Sequence, residues 1–217
     1  MNLTRRAQQV LTRNMSLEDA LPTRMPVYVN SVAYFFGVSA LSSLVLLVIS
    51  GLILAIYGPL WYHRSGLGHF VNSVHFWSVQ AFFLAILAHM TTKLFKMAWR
   101  DGRKKTWMVG AVIFGLSVFT GLTGYLSQTN WDSQWIAVQS KDAMNAIGVG
   151  AFFNPMNNSQ VLTLHVALLP WLIIAFVSLH LLLVRRDGPV KPIPRRRHKP
   201  AAPETSGNET SVEGGAQ

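Results

Sequence analysis

The sequence contains no cysteine and few charged residues. None of the 217 residues is a cysteine, so the chain by itself cannot form disulfides, ligate an iron–sulfur cluster through thiolates or use a catalytic thiolate. Charged residues make up only 13% of the chain and hydrophobic residues 50%, which excludes an ordinary soluble domain. Acidic residues are the scarcest, because nine Asp and Glu stand against 19 Lys and Arg.

Long apolar stretches fill most of the chain. Four are long enough to cross a bilayer, at residues 32–57, 71–92, 107–127 and 161–184. The sequence therefore predicts an all-α polytopic membrane protein, a bundle of four transmembrane helices over residues 32–184. Residues 1–31 are predicted to form an amphipathic segment on the cytoplasmic membrane surface, and residues 185–217 a basic tail that is disordered by composition.

The basic residues are distributed unevenly among the loops. Seventeen of the 19 lie before the first span, between the second and third, or after the fourth, whereas Arg64 and Lys141 lie in the two remaining loops. This bias predicts that both termini and the second connection are cytoplasmic, in a cell membrane or an equivalent energy-transducing membrane. The net charge of +10 thus indicates topology and contact with anionic lipid headgroups, not binding of nucleic acid.

Two of the apolar spans each contain a pair of histidines. His75 and His89 are 14 residues apart, and His165 and His180 are 15 apart. A 14-residue interval on a helix places two side chains on one face, about 40° out of register and roughly 21 Å apart along the axis. Since the second and fourth spans run in the same direction, we expect His75 to meet His165 on the outer side and His89 to meet His180 on the cytoplasmic side.

The chemistry of these histidines has more than one interpretation. A single histidine in a membrane helix is most often a hydrogen-bonded packing residue or a proton relay, and His63 and His69, in the first outer loop, are interpreted as ordinary exposed residues. Two facing imidazoles at each of two depths are instead typical of the axial ligands of two haem irons, a site suited to electron transfer. Zinc is disfavoured because it requires three or four ligands, and these depths contain no cysteine or carboxylate.

Glycines in the other two spans repeat the same interval. Gly37 and Gly51 are 14 residues apart, as are Gly110 and Gly124. Glycine in a membrane helix allows a flat group or a neighbouring backbone to approach closely. The spacing therefore predicts slots for two planar ligands, with generic helix packing as the alternative.

These motifs together resemble a known family. The segments SVHFW…AHMTTK, TWMVG…TGY and LHVALLPWL…HLLLVRRDG, with the paired glycines, resemble cytochrome b of quinol–cytochrome c oxidoreductases, above all its short split form, cytochrome b/b6, over about residues 25–190. The resemblance implies four haem ligands, four haem-contact glycines and two arginines that pair with haem propionates. These are respectively His75, His89, His165 and His180; Gly37, Gly51, Gly110 and Gly124; and Arg103 and Arg185.

The resemblance also implies a function. The chain would be a dihaem b-type subunit that carries electrons across the membrane in a quinol-oxidising complex with coupled proton translocation, and it would not be catalytic alone. It would hold two non-covalent haem b groups and use quinone as substrate. The implied partners are a subunit equivalent to the C-terminal half of cytochrome b, a Rieske iron–sulfur protein and a cytochrome c-type acceptor, in a dimeric complex.

Two other functions stay open at this point. One is a dihaem membrane anchor that relays electrons between quinone and another dehydrogenase or reductase. Such an anchor would work without bifurcation, that is, without sending the two electrons of a quinol to two different acceptors. The other is a transporter or scaffold without a redox function, in which the histidines are structural.

The sequence departs from the family at its outer side. Asn72, Phe76 and Gln160 stand where related chains carry arginine, and QTNWDSQ replaces the usual leucine-proline-tryptophan run. A third, thioether-linked haem is excluded because there is no cysteine. The long outer connection is expected to form one or two helices on the outer surface, with Asp132 either in proton exit or as a solvated loop residue. The sequence assigns no catalytic residue to the quinol chemistry.

Overall fold

The computed structural model describes residues 31–128, 130–188 and 190, and within them it contains helices and no strands. Apart from Ser31, the predicted amphipathic segment 1–31 lies outside the described residues, as does the tail from 191 onward. The α-helices are α1 (Val32–Tyr57), α2 (Pro59–Arg64), α3 (Gly66–Phe95), α4 (Lys104–Leu126), α5 (Trp131–Ala146), α6 (Asn158–Thr163) and α7 (Leu169–Asp187). A 3₁₀ turn, Val149–Ala151, follows α5, and a π-helical turn, Leu164–Leu168, joins α6 to α7.

Four helices are long and apolar enough to cross a membrane. They are Val32–Tyr57, Gly66–Phe95, Lys104–Leu126 and the continuous stretch Asn158–Asp187, which confirms the four spans and the all-α class predicted from the sequence. Large apolar side chains cover their outer faces, among them Leu84 at 73% exposed and Ile56 and Trp171 at 70% each. In water such faces would be unfavourable, so they indicate contact with lipid and a multi-pass membrane protein.

The bundle is built from two helix pairs. Helix α1 packs mainly against α3, and α4 packs mainly against α7. Phe82, Ile86 and Ile113 are buried where the two pairs meet. They are surrounded by partly buried apolar side chains from all four long helices, namely Ala40, Leu44, Leu47, Phe83, Val109, Phe114, Phe176 and Val177. Apart from Val109, which directly precedes Gly110, the residues of this central layer lie between the two predicted ligand depths in every helix.

The outer connection contains one substantial helix, as the sequence predicted. Helix α5 is capped by Asn130, whose Oδ1 accepts from the Ser133 N–H at 2.8 Å. A buried cluster of Leu126, Ala137, Phe153 and Val161 joins α5 and the following segment to the ends of α4 and α6. The connection is thus packed onto the bundle.

The last helix continues three residues beyond the predicted end of the fourth span at residue 184. The guanidinium of Arg103, just before α4, donates to the carbonyls of Asp187 and Gly188, at 2.5 Å each. The Thr106 hydroxyl donates to Asp187 Oδ2 at 2.5 Å. These bonds satisfy groups at the end of α7 that would otherwise lack partners, so the helix is stabilised through Asp187.

Candidate dihaem site

Each of the four predicted glycines lies against the ring of one predicted histidine. A Cβ atom built on Gly37 would lie 3.0 Å from His89 Cε1, and one built on Gly51 would lie 3.1 Å from His75 Cε1. Both contacts join α1 to α3. Any larger residue at either glycine would have to displace an imidazole, because these distances are shorter than ordinary van der Waals contact.

The second helix pair repeats this pattern. A Cβ on Gly110 would lie 3.2 Å from His180 Cε1, and one on Gly124 would lie 2.5 Å from His165 Cε1. The glycines of α4 therefore contact His165 of the π-helical turn and His180 of α7, just as those of α1 contact the histidines of α3. The space that each glycine leaves is filled by the edge of a histidine ring, and this positions the ring beside its helix.

Backbone carbonyls orient two of the rings through Nδ1. His89 Nδ1 lies 3.1 Å from the Ala33 carbonyl, and His165 Nδ1 lies 3.0 Å from the Thr120 carbonyl. Each carbonyl belongs to the residue four positions before the glycine that the ring contacts. Because a carbonyl can only accept, Nδ1 carries the proton and Nε2 keeps its lone pair for a metal.

The first histidine pair, His75 and His165, comes together directly. Their ring centroids are 6.3 Å apart and the ring planes are at 85°. A metal ion held between two imidazole nitrogens at about 2.0 Å from each requires a centroid separation of roughly 6 Å. The observed spacing therefore accommodates one iron between this pair.

The second pair, His89 and His180, lies at the other predicted depth. His180 Nδ1 is buried and forms no hydrogen bond within the described part of the chain, and the Thr106 carbonyl approaches it without reaching hydrogen-bond geometry. The placement of His180 beside Gly110 nevertheless matches that of the other three rings.

The donor set fits haem better than a bare metal ion. No cluster of three or more His, Asp or Glu side chains able to hold a metal ion occurs among the described residues. Two imidazoles complete the coordination of an iron whose other four ligands come from a porphyrin. The glycine beside each ring lets that imidazole approach the neighbouring helix closely. The residues present therefore fit two bis-histidine haem sites.

A π-helical turn holds His165, and the sequence reasoning missed it. Leu164–Leu168 is π-helical, and the Leu169 N–H bonds to the Leu164 carbonyl, five residues back. Pro170 follows near the start of α7 and has no N–H to donate. Such turns are frequent at functional sites, and the proline inside an apolar span was the signal that could have predicted it.

The two predicted arginines lie at the cytoplasmic end as the sequence orients it. Arg103 is only 8% exposed and binds the end of α7 through Asp187 and Gly188. Arg185 lies in the last turn of α7 and is exposed. Their pairing with haem propionates stays a prediction.

The outer residues singled out from the sequence lie apart from the histidine pairs. Asp132 is exposed in the first turn of α5, and His63 and His69 are exposed near the start of α3. Gln160 donates to the Phe152 carbonyl at 2.9 Å and accepts from the Asn154 N–H at 2.8 Å. It therefore braces the outer connection against α6.

Two departures from the family remain near the outer end of α3. Phe76 is 45% exposed and Asn72 is partly buried. Neither side chain is charged, so the chain supplies no cation at these two positions.

Comparison with known proteins agrees with this architecture. Cytochrome b6 of Acaryochloris marina is 26% identical over 132 residues, which are 56% of this chain and 61% of that protein. The cytochrome bc complex cytochrome b subunit of Chlorobaculum thiosulfatiphilum is 27% identical over 191 residues, 78% of this chain and 44% of that protein. The chain thus spans about three fifths or less of the length of these relatives.

A solved structure described as a hyperthermophilic respiratory Complex III has the same fold. It superposes with a TM-score of 0.70 at 22% identity, over 90% of this chain and 59% of that chain. The family model described as cytochrome b(N-terminal)/b6/petB matches residues 80–209, which is 130 of the 217 residues. This range includes His89, His165 and His180. By this match, the chain belongs to the cytochrome b(N-terminal)/b6 family.

Proposed function

We propose that this chain is the dihaem b-type subunit of a quinol-oxidising cytochrome bc-type complex. It would carry electrons across the membrane, and proton translocation would be coupled to this transfer. The curated relatives named cytochrome b6 and cytochrome b subunit support this assignment. A separate subunit equivalent to the C-terminal half of cytochrome b would complete the quinone sites. A Rieske iron–sulfur protein and a cytochrome c-type protein would accept the electrons, and the complex would be dimeric.

The main support for the proposal is that each of the four predicted histidines lies against one of the four predicted glycines. Four imidazoles, on α3, the π-helical turn and α7, each lie against a glycine of α1 or α4. Along α3, His75 and His89 are separated by 14 helical residues, which corresponds to about 21 Å. Packing alone would not require four matched contacts at two depths. Two stacked bis-histidine sites explain them all.

The residues of the chain would hold and insulate the two groups. His75 and His165 would bind one iron through Nε2, and His89 and His180 the other. A haem in each site would supply a one-electron carrier. Phe82, Ile86 and Ile113 form a dry apolar layer between the two sites, which excludes water and keeps the surrounding dielectric constant low. Arg103, which precedes α4 and binds the end of α7, would place positive charge near the second site.

Single histidine substitutions test the two sites separately. The purified protein is expected to contain about two haems per chain, with a low-spin b-type reduced-minus-oxidised spectrum. His89→Ala should reduce the content to about one, because His89 would help to hold one haem and not the other. The exposed His63→Ala is the matched control and should keep two. A wild-type protein without haem would refute the proposal, and loss of both haems in His89→Ala would contradict independent sites.

A dihaem anchor without bifurcation is the second candidate. It is favoured by one observation, which is that Phe76 and Gln160 provide no cation at the outer side. Gln160 instead forms hydrogen bonds within the outer connection. The subunit composition of the native complex separates the two functions. Co-purification with a Rieske protein and a C-terminal-half subunit is expected for the quinol-oxidising complex, whereas a dehydrogenase or reductase in their place would select the anchor.

A further inference from the structure

The two histidine pairs differ in the groups that contact their Nδ1 atoms. The residue preceding each glycine is a hydroxyl residue at the first pair, namely Ser50 before Gly51 and Thr123 before Gly124. At the second pair the corresponding residues, before Gly37 and Gly110, are Phe36 and Val109. The repeated helix geometry therefore presents a hydroxyl group to one pair and a hydrocarbon side chain to the other.

Ser50 is arranged to accept a hydrogen bond from His75. Its Oγ donates to the Leu46 carbonyl at 2.6 Å and lies 2.9 Å from His75 Nδ1. Since the hydroxyl proton is used on the carbonyl, the oxygen is left to accept from Nδ1–H. Ser50 is only 4% exposed, so water does not compete for this bond.

Thr123 occupies the equivalent place beside His165. It is fully buried, and its hydroxyl donates to the Thr120 carbonyl at 2.9 Å. His165 Nδ1 lies 3.0 Å from that same carbonyl and 3.4 Å from Thr123 Oγ1. The Nδ1–H of His165 is thus shared between a carbonyl and a hydroxyl oxygen.

In the described residues, the second pair has no hydroxyl acceptor within hydrogen-bond distance of Nδ1. His89 Nδ1 contacts the Ala33 carbonyl at 3.1 Å, and His180 Nδ1 is buried without a hydrogen bond in the described residues. A backbone carbonyl approaches each of the four rings, from Leu47 and Thr120 at the first pair and from Ala33 and Thr106 at the second. In the described residues, only the first pair also has hydroxyl oxygens within hydrogen-bond distance of Nδ1, namely Ser50 Oγ and Thr123 Oγ1.

Acceptors on Nδ1–H affect how an imidazole binds iron. They draw the proton away from the ring and raise the basicity of the coordinating nitrogen. A more basic ligand stabilises the oxidised, more positive iron and so lowers its reduction potential, and hydrogen bonding around the ligands is one of the means by which a protein sets this potential. In the dry interior of the bundle little solvent screens the effect.

We propose that Ser50 and Thr123 are positioning residues that hold His75 and His165 through Nδ1 and make the haem at this pair the harder of the two to reduce. The inference rests on the proposed function, since it requires a haem at each pair. It assigns the difference between the two sites to side chains one position before the glycines. Electrons would then pass favourably from the His75/His165 site to the His89/His180 site.

Redox titration of the haem-loaded protein in lipid nanodiscs tests the inference. Ser50→Ala or Thr123→Val should raise the midpoint potential of one haem, by up to about tenfold in the one-electron equilibrium, or ~59 mV, and leave the other unchanged. Thr123→Ser keeps the hydroxyl group and should therefore retain the wild-type midpoint potential. Ser117→Ala is the matched control on α4, because its buried hydroxyl donates to the Ile113 carbonyl at 2.8 Å.

A variant that adds a hydroxyl group at the second pair provides another test. It remains informative if removing a hydroxyl group from the first pair causes loss of haem. Val109→Thr is nearly isosteric and would place a hydroxyl one residue before Gly110, beside the unsatisfied His180 Nδ1. It should lower the potential of the other haem. Unmoved potentials in Thr123→Val and Val109→Thr, or an equal shift in Ser117→Ala, would overturn the inference. Absence of haem from the wild-type protein would instead overturn the proposed function itself.

Discussion

Substituting Gly124 by alanine provides the sharpest test of how the histidines are seated. The new Cβ would lie 2.5 Å from His165 Cε1, 3.0 Å from Nε2 and 3.1 Å from Nδ1. Reaching ordinary contact requires the ring to retreat by about 1 Å, because neither the rigid imidazole nor the helix backbone can deform enough to remove the overlap. That movement also disturbs the ring spacing of 6.3 Å between His165 and His75.

The cost of this overlap can be bounded. Overpacking of a tight interior site typically costs about 1–3 kcal/mol, which corresponds to a roughly 5–150-fold weaker binding of the group held there. The remaining site glycines have slightly more room, since a Cβ would lie 3.0 Å from the ring at Gly37, 3.1 Å at Gly51 and 3.2 Å at Gly110. Their alanine variants should therefore be affected less than Gly124→Ala.

Haem content per chain after purification measures the effect. Gly124→Ala should lose most of the haem at the His75/His165 pair and retain the other, for a total near one. Gly115→Ala, on the same helix, is the control, because a Cβ there would have no neighbour within 4 Å. Two haems and an unaltered spectrum in Gly124→Ala would refute the steric argument, as would an equal loss in Gly115→Ala.

Two further predictions concern the ends of the bundle. Arg103→Ala removes the guanidinium that binds the carbonyls of Asp187 and Gly188, so the free energy of unfolding should fall by about 2 kcal/mol. Thermal unfolding in detergent measures this change, and the exposed Arg64→Ala is the control. An unchanged unfolding midpoint in Arg103→Ala would contradict the prediction. Asn130→Ala removes the cap that accepts from Ser133, so hydrogen exchange in α5 should accelerate by an amount equivalent to about 1 kcal/mol, and unchanged protection in α5 would show that its packing, not its cap, holds it.

The four spans and the depths of the histidines follow from helix geometry and from the apolar composition of the sequence. A span of more than 20 apolar residues has to be helical in lipid, because every backbone polar group needs an internal partner. Once the spans are helical, a 14-residue interval fixes both the face and the depth of two side chains. For this reason the four spans, and the depths of His75, His89, His165 and His180, could be predicted from the sequence.

Other features depended on contacts between distant parts of the chain. Spacing along one helix does not specify which helix lies beside it, so the pairing of α1 with α3 and of α4 with α7 became visible only in the tertiary structure. The hydroxyls of Ser50 and Thr123 are ordinary small polar residues in the sequence. They gain a role only because the glycine beside each allows an imidazole to come within reach.

The amino-acid sequence by itself thus determined the helical class, the spans and the two levels at which histidines occur, since each is set by local composition and a fixed helical repeat. The tertiary structure decided which glycine receives which ring, which acceptor each Nδ1 meets and how Arg103 and Thr106 extend α7 to Asp187. Those features are interactions between side chains and backbone far apart in sequence, and no periodicity within one segment encodes them.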